Sequence, residues 1–333
     1  MLKQSRDYST GLYKKPAERG PLQMRKLLVL AFGFFVLAAV FSVAGSAQDM
    51  GTLTPKKLAP IEHPKASTPA KQLFGRVLTP TEAAARSIGF YSHGCLSGGI
   101  ALPVNGPDWQ VMRLSRNRNW GTPQLIAFLE RFAREVTRVS SWPGILVGDM
   151  SQPRGGPMLT GHASHQIGLD VDIWLKPMPP YTLSREQREE MLSTNVVRAD
   201  RLDVDPRYWT PDHVAVIKAA AQDPEVQRIF VNPAIKKALC RDAGPDRAWL
   251  HKVRPFYGHD YHFHVRLVCP PGESSCEAQE PVAPGDGCDN ASLAYWFSPG
   301  VLHPRPQLGP TRPRPALTLA DLPAACRTIL TQR

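Results

Sequence analysis

The feature that most constrains this chain is the placement of its six cysteines, Cys95, Cys240, Cys269, Cys276, Cys288 and Cys326, all of which lie beyond an apolar N-terminal segment. Met24-Arg25-Lys26 precedes an almost unbroken apolar run over 27–43, and Ala44-Gly45-Ser46-Ala47 then sets small residues where a signal peptidase cuts. A basic start, an apolar middle and a small-residue end mark a secretory signal. An uncleaved anchor is the rival, because about 17 apolar residues is near the lower limit for crossing a bilayer. The Gly45/Ala47 site favours cleavage. The polar stretch before Met24 reads as an N-terminal extension, so 1–47 is signal plus extension. Residues 48–71, rich in Pro, Lys and Thr, are expected to form a flexible linker, leaving 72–330 as a single folded domain.

Export decides how the cysteines are read. An even number of thiols in an oxidising compartment implies three disulfides, although sequence alone allows 15 pairings of six. A thiolate metal site is the competing arrangement, but no two cysteines are separated by only two residues, as such sites require. Four of the six fall in 269–326, where proline and glycine are frequent and cross-links would hold chain that lacks ladders of its own.

The net charge of +11 suggests nucleic acid until it is located. Residues 1–47 carry +5 of it, and +11 less that leaves +6 spread thinly over the remainder, with no Lys/Arg-rich run and no stacking motif. Nucleic acid is therefore not an expected partner, and the absence of phosphate-loop and dinucleotide fingerprints argues equally against nucleotides. A mildly basic domain suits an anionic polymer.

Thr122-Pro123 followed by apolar residues at Leu125, Leu129, Phe132, Val136 and Val139 predicts an amphipathic helix over 124–140. Thr210-Pro211 repeats the start signal before a helix over 213–222, and 234–239 is a shorter candidate. Segments 110–114, 144–147, 171–175, 226–231 and 262–268 read as strands. The fold class expected is α+β, an antiparallel sheet flanked by helices, rich in loops and stapled by disulfides. Six prolines over 299–315 predict an extended strap.

Two segments hold nearly all the informative histidine and aspartate. In the first, a loop with His162 and His165 runs into a strand on which Asp170 and Asp172 share one face, with Val171 and Ile173 on the other. Two carboxylates on one face of a buried strand need a cation or donors against their desolvation cost. In the second, the period of two sets His262, His264 and Arg266 on one face, backed by Phe263, Val265 and Leu267. Together they offer three metal ligands, His165, Asp172 and His264, and leave a fourth position to water. Two imidazoles, one carboxylate and an open site suit catalytic Zn2+, which polarises a scissile carbonyl and lowers the pKa of its water toward about 7. His262, two residues from His264, is the candidate general base.

The pattern His165-x6-Asp172 with His262-x-His264 resembles the zinc peptidases grouped with lysostaphin and the D-Ala-D-Ala carboxypeptidases. The surrounding words, among them Gln110-Val111-Met112-Arg113, Arg116-Asn117-Arg118-Asn119-Trp120-Gly121, Leu146-Val147-Gly148-Asp149-Met150, 162–174 and 259–267, resemble one family, the penicillin-insensitive murein endopeptidases. That resemblance spans nearly all of 75–330 and implies a periplasmic zinc enzyme that cleaves the D-alanyl–meso-diaminopimelyl cross-link of peptidoglycan. It implies His165, Asp172 and His264 as ligands, His262 as base, and His162 and His259 as further active-site histidines; His259 or His162 is expected to donate to the developing oxyanion. It further implies the pairs Cys95–Cys326, Cys240–Cys288 and Cys269–Cys276. Membrane contact is expected only through the export signal. A homodimer stays open.

The carboxypeptidase branch carries Ser-x-His-x-x-Gly-x-Ala-x-Asp, whereas Ala163 and Asp170 stand here at the serine and alanine positions. Asp170 is expected to orient a histidine such as His162 by accepting its N–H. Asp149 could cap a turn or serve the site, and Arg266 could bind a substrate carboxylate or pair with Asp170. Trp174 is expected in the core. Ser164 beside His165 makes no triad, and cysteines in disulfides cannot be nucleophiles. A zinc D,D-carboxypeptidase and a wall-binding module without chemistry are the remaining alternatives.

Overall fold

Thr122 and Pro123 act as the sequence predicts: the Thr122 hydroxyl accepts from the Leu125 amide at 3.3 Å and opens Pro123–Val139, the longest helix among the described residues. This computed structural model describes residues 50–304 and 315–332, so the expected signal and its extension, and the 305–314 part of the proline-rich strap, lie outside the described residues. Among the described residues no helix is long and apolar enough to cross a membrane.

Ten strands are described, β1 Arg86–Phe90, β2 His93–Ser97, β3 Ile100–Ala101, β4 Trp109–Val111, β5 Trp120–Gly121, β6 Ile145–Val147, β7 Asp170–Pro177, β8 Val226–Val231, β9 Val253–Pro255 and β10 His262–Leu267. Six form one sheet in the order β4-β6-β7-β10-β8-β9. Its centre, from β6 through β7 and β10 to β8, is antiparallel as expected, while the outer pairs β4–β6 and β8–β9 run parallel. The cause is connectivity: Pro123–Val139 joins β4 to β6 and a second helix, Pro233–Asp242, lies between β8 and β9. Parallel neighbours need a crossover of this kind.

The helices pack on one face of the sheet. Leu125, Phe128, Leu129, Phe132 and Val136 bury one stripe of the long helix against Val171, Ile173, Phe263 and Val265, and the Phe132 and Phe263 rings meet edge to face at 6.3 Å. Burial of this apolar face is the main stabilising term, roughly 25 cal/mol per Å2 removed from water. The alternation that turns Val171 and Val265 toward the helices turns Asp170, Asp172, His262, His264 and Arg266 to the opposite face.

Three disulfides close the loops, and the pairing is the one the resemblance implies: Cys95–Cys326 joins β2 to the final helix Ala325–Thr331, Cys240–Cys288 ties helix Pro233–Asp242 to the downstream coil, and Cys269–Cys276 closes the loop after β10. The strap departs from expectation where it is described. Pro299–Leu302 is a short helix, because Pro299 sits at its first position after Ser298 and needs no amide donor there. At the other end of the domain, the Gly51 amide donates to the Glu189 carbonyl at 2.9 Å and the Thr52 amide to Ser115 Oγ at 3.1 Å.

Candidate active site

The register of the two central strands builds the site. In the β7–β10 ladder His264 is opposite Asp172, Arg266 opposite Asp170 and His262 opposite Trp174. Directly opposed residues share a face and approach within side-chain reach, so two sequence-distant motifs become one polar patch. The loop before β7 then folds back over it. Asp170 Oδ2 accepts from the His165 amide at 2.9 Å and Ser151 Oγ donates to the His165 carbonyl at 2.7 Å. Held at both peptide groups, His165 adopts φ of 66°, a left-handed conformation that a non-glycine residue keeps only when its surroundings enforce it.

Asp172 is the hub. Its Oδ1 lies 3.4 Å from His165 Nε2 and 3.2 Å from His264 Nδ1. Its Oδ2 lies 3.5 Å from His162 Nδ1 and 3.6 Å from His262 Nε2. Burial alone would raise the Asp172 carboxyl, yet the surrounding imidazoles hold it well below the ordinary carboxylate range. Burial pushes the His165 imidazole down to about 4 and also lowers His262, so both are neutral at pH 7.

The donor set fits a metal ion on a structural criterion. Both ring nitrogens of His165 and Oδ1 of Asp172 are buried without a hydrogen-bond partner, an arrangement that costs stability unless something else satisfies them. Donor atoms of His162, His165 and Asp172 lie within 4.8 Å of one another, and His264 Nδ1 closes a further side beside Asp172. The three ligands expected from sequence are thus brought together, and His162 joins them.

The supporting groups differ from expectation in two places. Asp170 orients His264, whose Nε2 donates to Asp170 Oδ1 at 3.0 Å, and does not contact His162. The histidine that needed a carboxylate, His162, donates from Nε2 to Asp149 Oδ2 at 3.0 Å. Asp149 is therefore a site residue, also gripped by Arg116 at 3.0 Å and Arg118 at 2.8 Å. Arg266 is 5% exposed and grips Asp170 through Nε at 2.8 Å and Nη2 at 3.3 Å, so it is an ion-pair partner and not a substrate contact. Its guanidinium also lies 4.2 Å above the Tyr91 ring.

His259 and His162 are not placed as the oxyanion donors expected of them. His259 Nδ1 lies 2.7 Å from the Tyr257 carbonyl, which can only accept, so Nδ1 carries the proton. Burial holds His259 neutral, pushed down to about 3, and its Nε2 is left as an acceptor. His162 has one nitrogen committed to Asp149 and the other facing Asp172. Neither offers a free N–H. His259 nonetheless belongs to the site, its ring 4.9 Å from that of His262.

A small cavity beside Asp172 is walled by Arg116, Asp149, His162, Trp174, Tyr261 and His262. Trp174 is buried as expected, packed with Met112, Leu146, Met178 and Leu183 while forming this wall. Arg116, Arg118 and Tyr261 carried no assigned role in the sequence, although Arg116-Asn117-Arg118 stands out as paired cations around one residue and could have been matched to Asp149. Asp260 lies outside the cluster, accepting from Asn195 Nδ2 at 2.8 Å.

A sequence model of the penicillin-insensitive murein endopeptidase family matches residues 87–331. The penicillin-insensitive murein endopeptidase of Haemophilus influenzae is 46% identical over 259 residues, covering 78% of this chain and 87% of the relative. Proteins of the same description from Pectobacterium atrosepticum and Klebsiella pneumoniae are each 44% identical, over 262 and 266 residues, covering 78% and 80% of this chain and 89% and 92% of theirs.

Proposed function

The chain belongs to the penicillin-insensitive murein endopeptidases, and from that premise we propose that it is a periplasmic zinc peptidase hydrolysing the D-alanyl–meso-diaminopimelyl cross-links of peptidoglycan. Murein endopeptidase activity follows from the family; the metal, the compartment and the bond are our inference. The observation that carries the metal is the Asp172 carboxylate ringed by four imidazoles, with unpaired buried donor atoms on His165 and on Asp172 itself.

His165, Asp172 and His264 would hold the ion, His264 through Nδ1 because Nε2 is committed to Asp170. When bound, zinc acts as a Lewis acid toward the scissile carbonyl and makes hydroxide accessible at neutral pH. His262, neutral because it is buried, takes a proton from the attacking water on Nε2, the nitrogen that faces Asp172, and returns it to the leaving amine. Asp149 fixes His162 through Nε2, with Nδ1 turned toward Asp172. No serine is acylated in this scheme, so β-lactams should leave the enzyme active.

Digestion of isolated peptidoglycan with the mature chain, with and without chelator, tests the proposal. Cross-linked dimers should become monomers without release of free alanine, and chelation should stop the reaction until zinc is restored. Metal-stripped protein that still cleaves dimers would remove zinc from the mechanism, and release of D-alanine would identify a carboxypeptidase instead.

A further inference from the structure

Beyond the polar cleft the surface carries aromatic rings that packing leaves uncovered. Tyr295 is 63% exposed, Phe256 52% and Tyr257 46%, and Trp296 is half-buried between them. Exposed apolar residues scattered singly need no explanation, but these touch one another. The Tyr257 and Trp296 rings lie 5.9 Å apart and the Trp296 and Tyr295 rings 5.3 Å apart. At its inner end the group is continuous with the site: Phe256 meets His259 at 5.6 Å, and His259 meets His262 at 4.9 Å.

The rings are held, not merely displayed. Gly258 and His259 are successive left-handed residues, φ 67° and 54°, and this tight turn sends His259 toward His262 while Phe256 and Tyr257 stay outside. The segment bearing Tyr295 and Trp296 is fastened before them by Cys240–Cys288 and by Lys236 Nζ, which donates to the Asp286 carbonyl at 2.5 Å. It is fastened after them by the Tyr257 hydroxyl, which donates to the Val301 carbonyl.

We propose that Tyr257, Trp296 and Tyr295 form a stacking platform for the sugar rings of a glycan strand, a saccharide subsite beside the hydrolytic cleft. The proposal rests on murein being the substrate. Murein joins its cleaved peptides to sugars, and the two parts ask for different surfaces. The charged peptide suits the cleft of Arg116, Asp149 and the histidines. Pyranose rings present C–H faces that pack flat on aromatic rings, with hydroxyls at the rim, as Tyr and Trp also offer an apolar body and a polar tip. The rings run outward from His262 through His259 to Phe256 in steps of 4.9 and 5.6 Å, and Tyr257 follows Phe256 in the chain, so the platform begins beside the cleft that takes the peptide.

The test uses the full mature chain with two substrates: glycan-bearing cross-linked murein, and the same cross-linked peptide freed of sugar by an amidase. Tyr295→Ala and Trp296→Ala should each raise KM on the glycan-bearing substrate by about threefold to tenfold, the effect of one lost stacking ring, with kcat unchanged. Neither should alter cleavage of the sugar-free peptide. Peptide-free oligosaccharides of the strand should bind wild-type protein saturably and bind both variants more weakly. Equal losses on both substrates, no loss on either, or dissociation of a dimer as the sole effect of the variants would overturn the platform. Failure of wild-type protein to cleave either substrate would instead refute the peptidase assignment, while the oligosaccharide titration would still report on the platform.

Discussion

His264 donates from Nε2 to Oδ1 of Asp170 at 3.0 Å, a bond made with the carboxylate fully buried and the imidazole nearly so. The bond fixes which ring nitrogen of His264 faces Asp172, since a proton on Nε2 leaves the lone pair on Nδ1. The same carboxylate pairs with Arg266 and caps the His165 amide, so one side chain positions two imidazoles contributed by different segments.

Asp170→Asn should therefore act on the metal site and on the fold together. The amide cannot neutralise Arg266, and an uncompensated buried charge costs about 3–5 kcal/mol. Metal affinity should fall about 10- to 100-fold, the usual effect of losing a group that orients a ligand. A lowered melting temperature with weakened zinc binding in a competition titration is the expected pair of results; unchanged zinc affinity would mean that Asp170 serves only Arg266.

For His262 the expectation is the opposite combination. Its Nε2 faces Asp172 without a hydrogen bond, and burial keeps the ring neutral and able to accept a proton. His262→Ala should retain zinc and lose turnover by a factor of about 10²–10⁴, the range for an acid–base group. Metal analysis alongside muropeptide digestion checks this, and loss of zinc from the variant would make His262 a ligand instead of a base.

Much of the site was legible in the sequence because a strand alternates with a period of two. Asp170 and Asp172, and His262, His264 and Arg266, could be placed on shared faces from spacing alone, and the observed ladder opposes His264 to Asp172 and Arg266 to Asp170. Spacing carries no information about which partner a side chain chooses across space. Whether Asp149 or Asp170 would hold His162 depends on how the 148–152 loop returns beside β7, where the Gly148 amide donates to the Asp172 carbonyl and the Asp172 amide to the Asp149 carbonyl. Helices opened by Thr-Pro were legible for the same local reason. The β1–β2 hairpin, Arg86–Phe90 with His93–Ser97, was not foreseen, since His-Gly-Cys-Leu-Ser lacks alternation and is held by Cys95–Cys326 and the Gln166 side chain. The parallel edges were missed because pairing direction is set by crossovers.

Lys236 supplies a prediction about pH. It is fully buried on helix Pro233–Asp242, its Nζ donating to the carbonyls of Leu250 and Asp286. Burial lowers it to about 7, Arg254 and Arg247 adding to the effect and Asp286 opposing it. Between about pH 7 and its unfolded value near 10.4 the unfolded chain binds more protons at this residue, so its contribution to stability rises with pH. Below about 7 both states are protonated and the cost of burying the charge is constant. Lys236→Met removes the titration, so the melting temperature of wild type relative to the variant should climb from pH 7 to pH 9. A difference that stays flat across that range would show that Lys236 titrates normally.

Lys236 and the Cys240–Cys288 disulfide fasten the same stretch, and cutting the covalent tie gives the most discriminating variant. Cys240 and Cys288 are 48 residues apart, and a loop of that size is worth about 4 kcal/mol in the chain-entropy account, within an observed range of roughly 2–5. The double substitution Cys240→Ser with Cys288→Ser should lower stability by that order in denaturant unfolding. Its effect on activity should divide by substrate. Asp172, His165 and His264 are held by β7, β10 and the 161–169 loop, none of which the bridge touches, so cleavage of sugar-free cross-linked peptide should persist below the melting transition. Cleavage of glycan-bearing murein should weaken, because Tyr295 and Trp296 would lose their fixed position opposite Tyr257. Parallel loss on both substrates in fully folded protein would mean that the bridge supports the catalytic cleft directly.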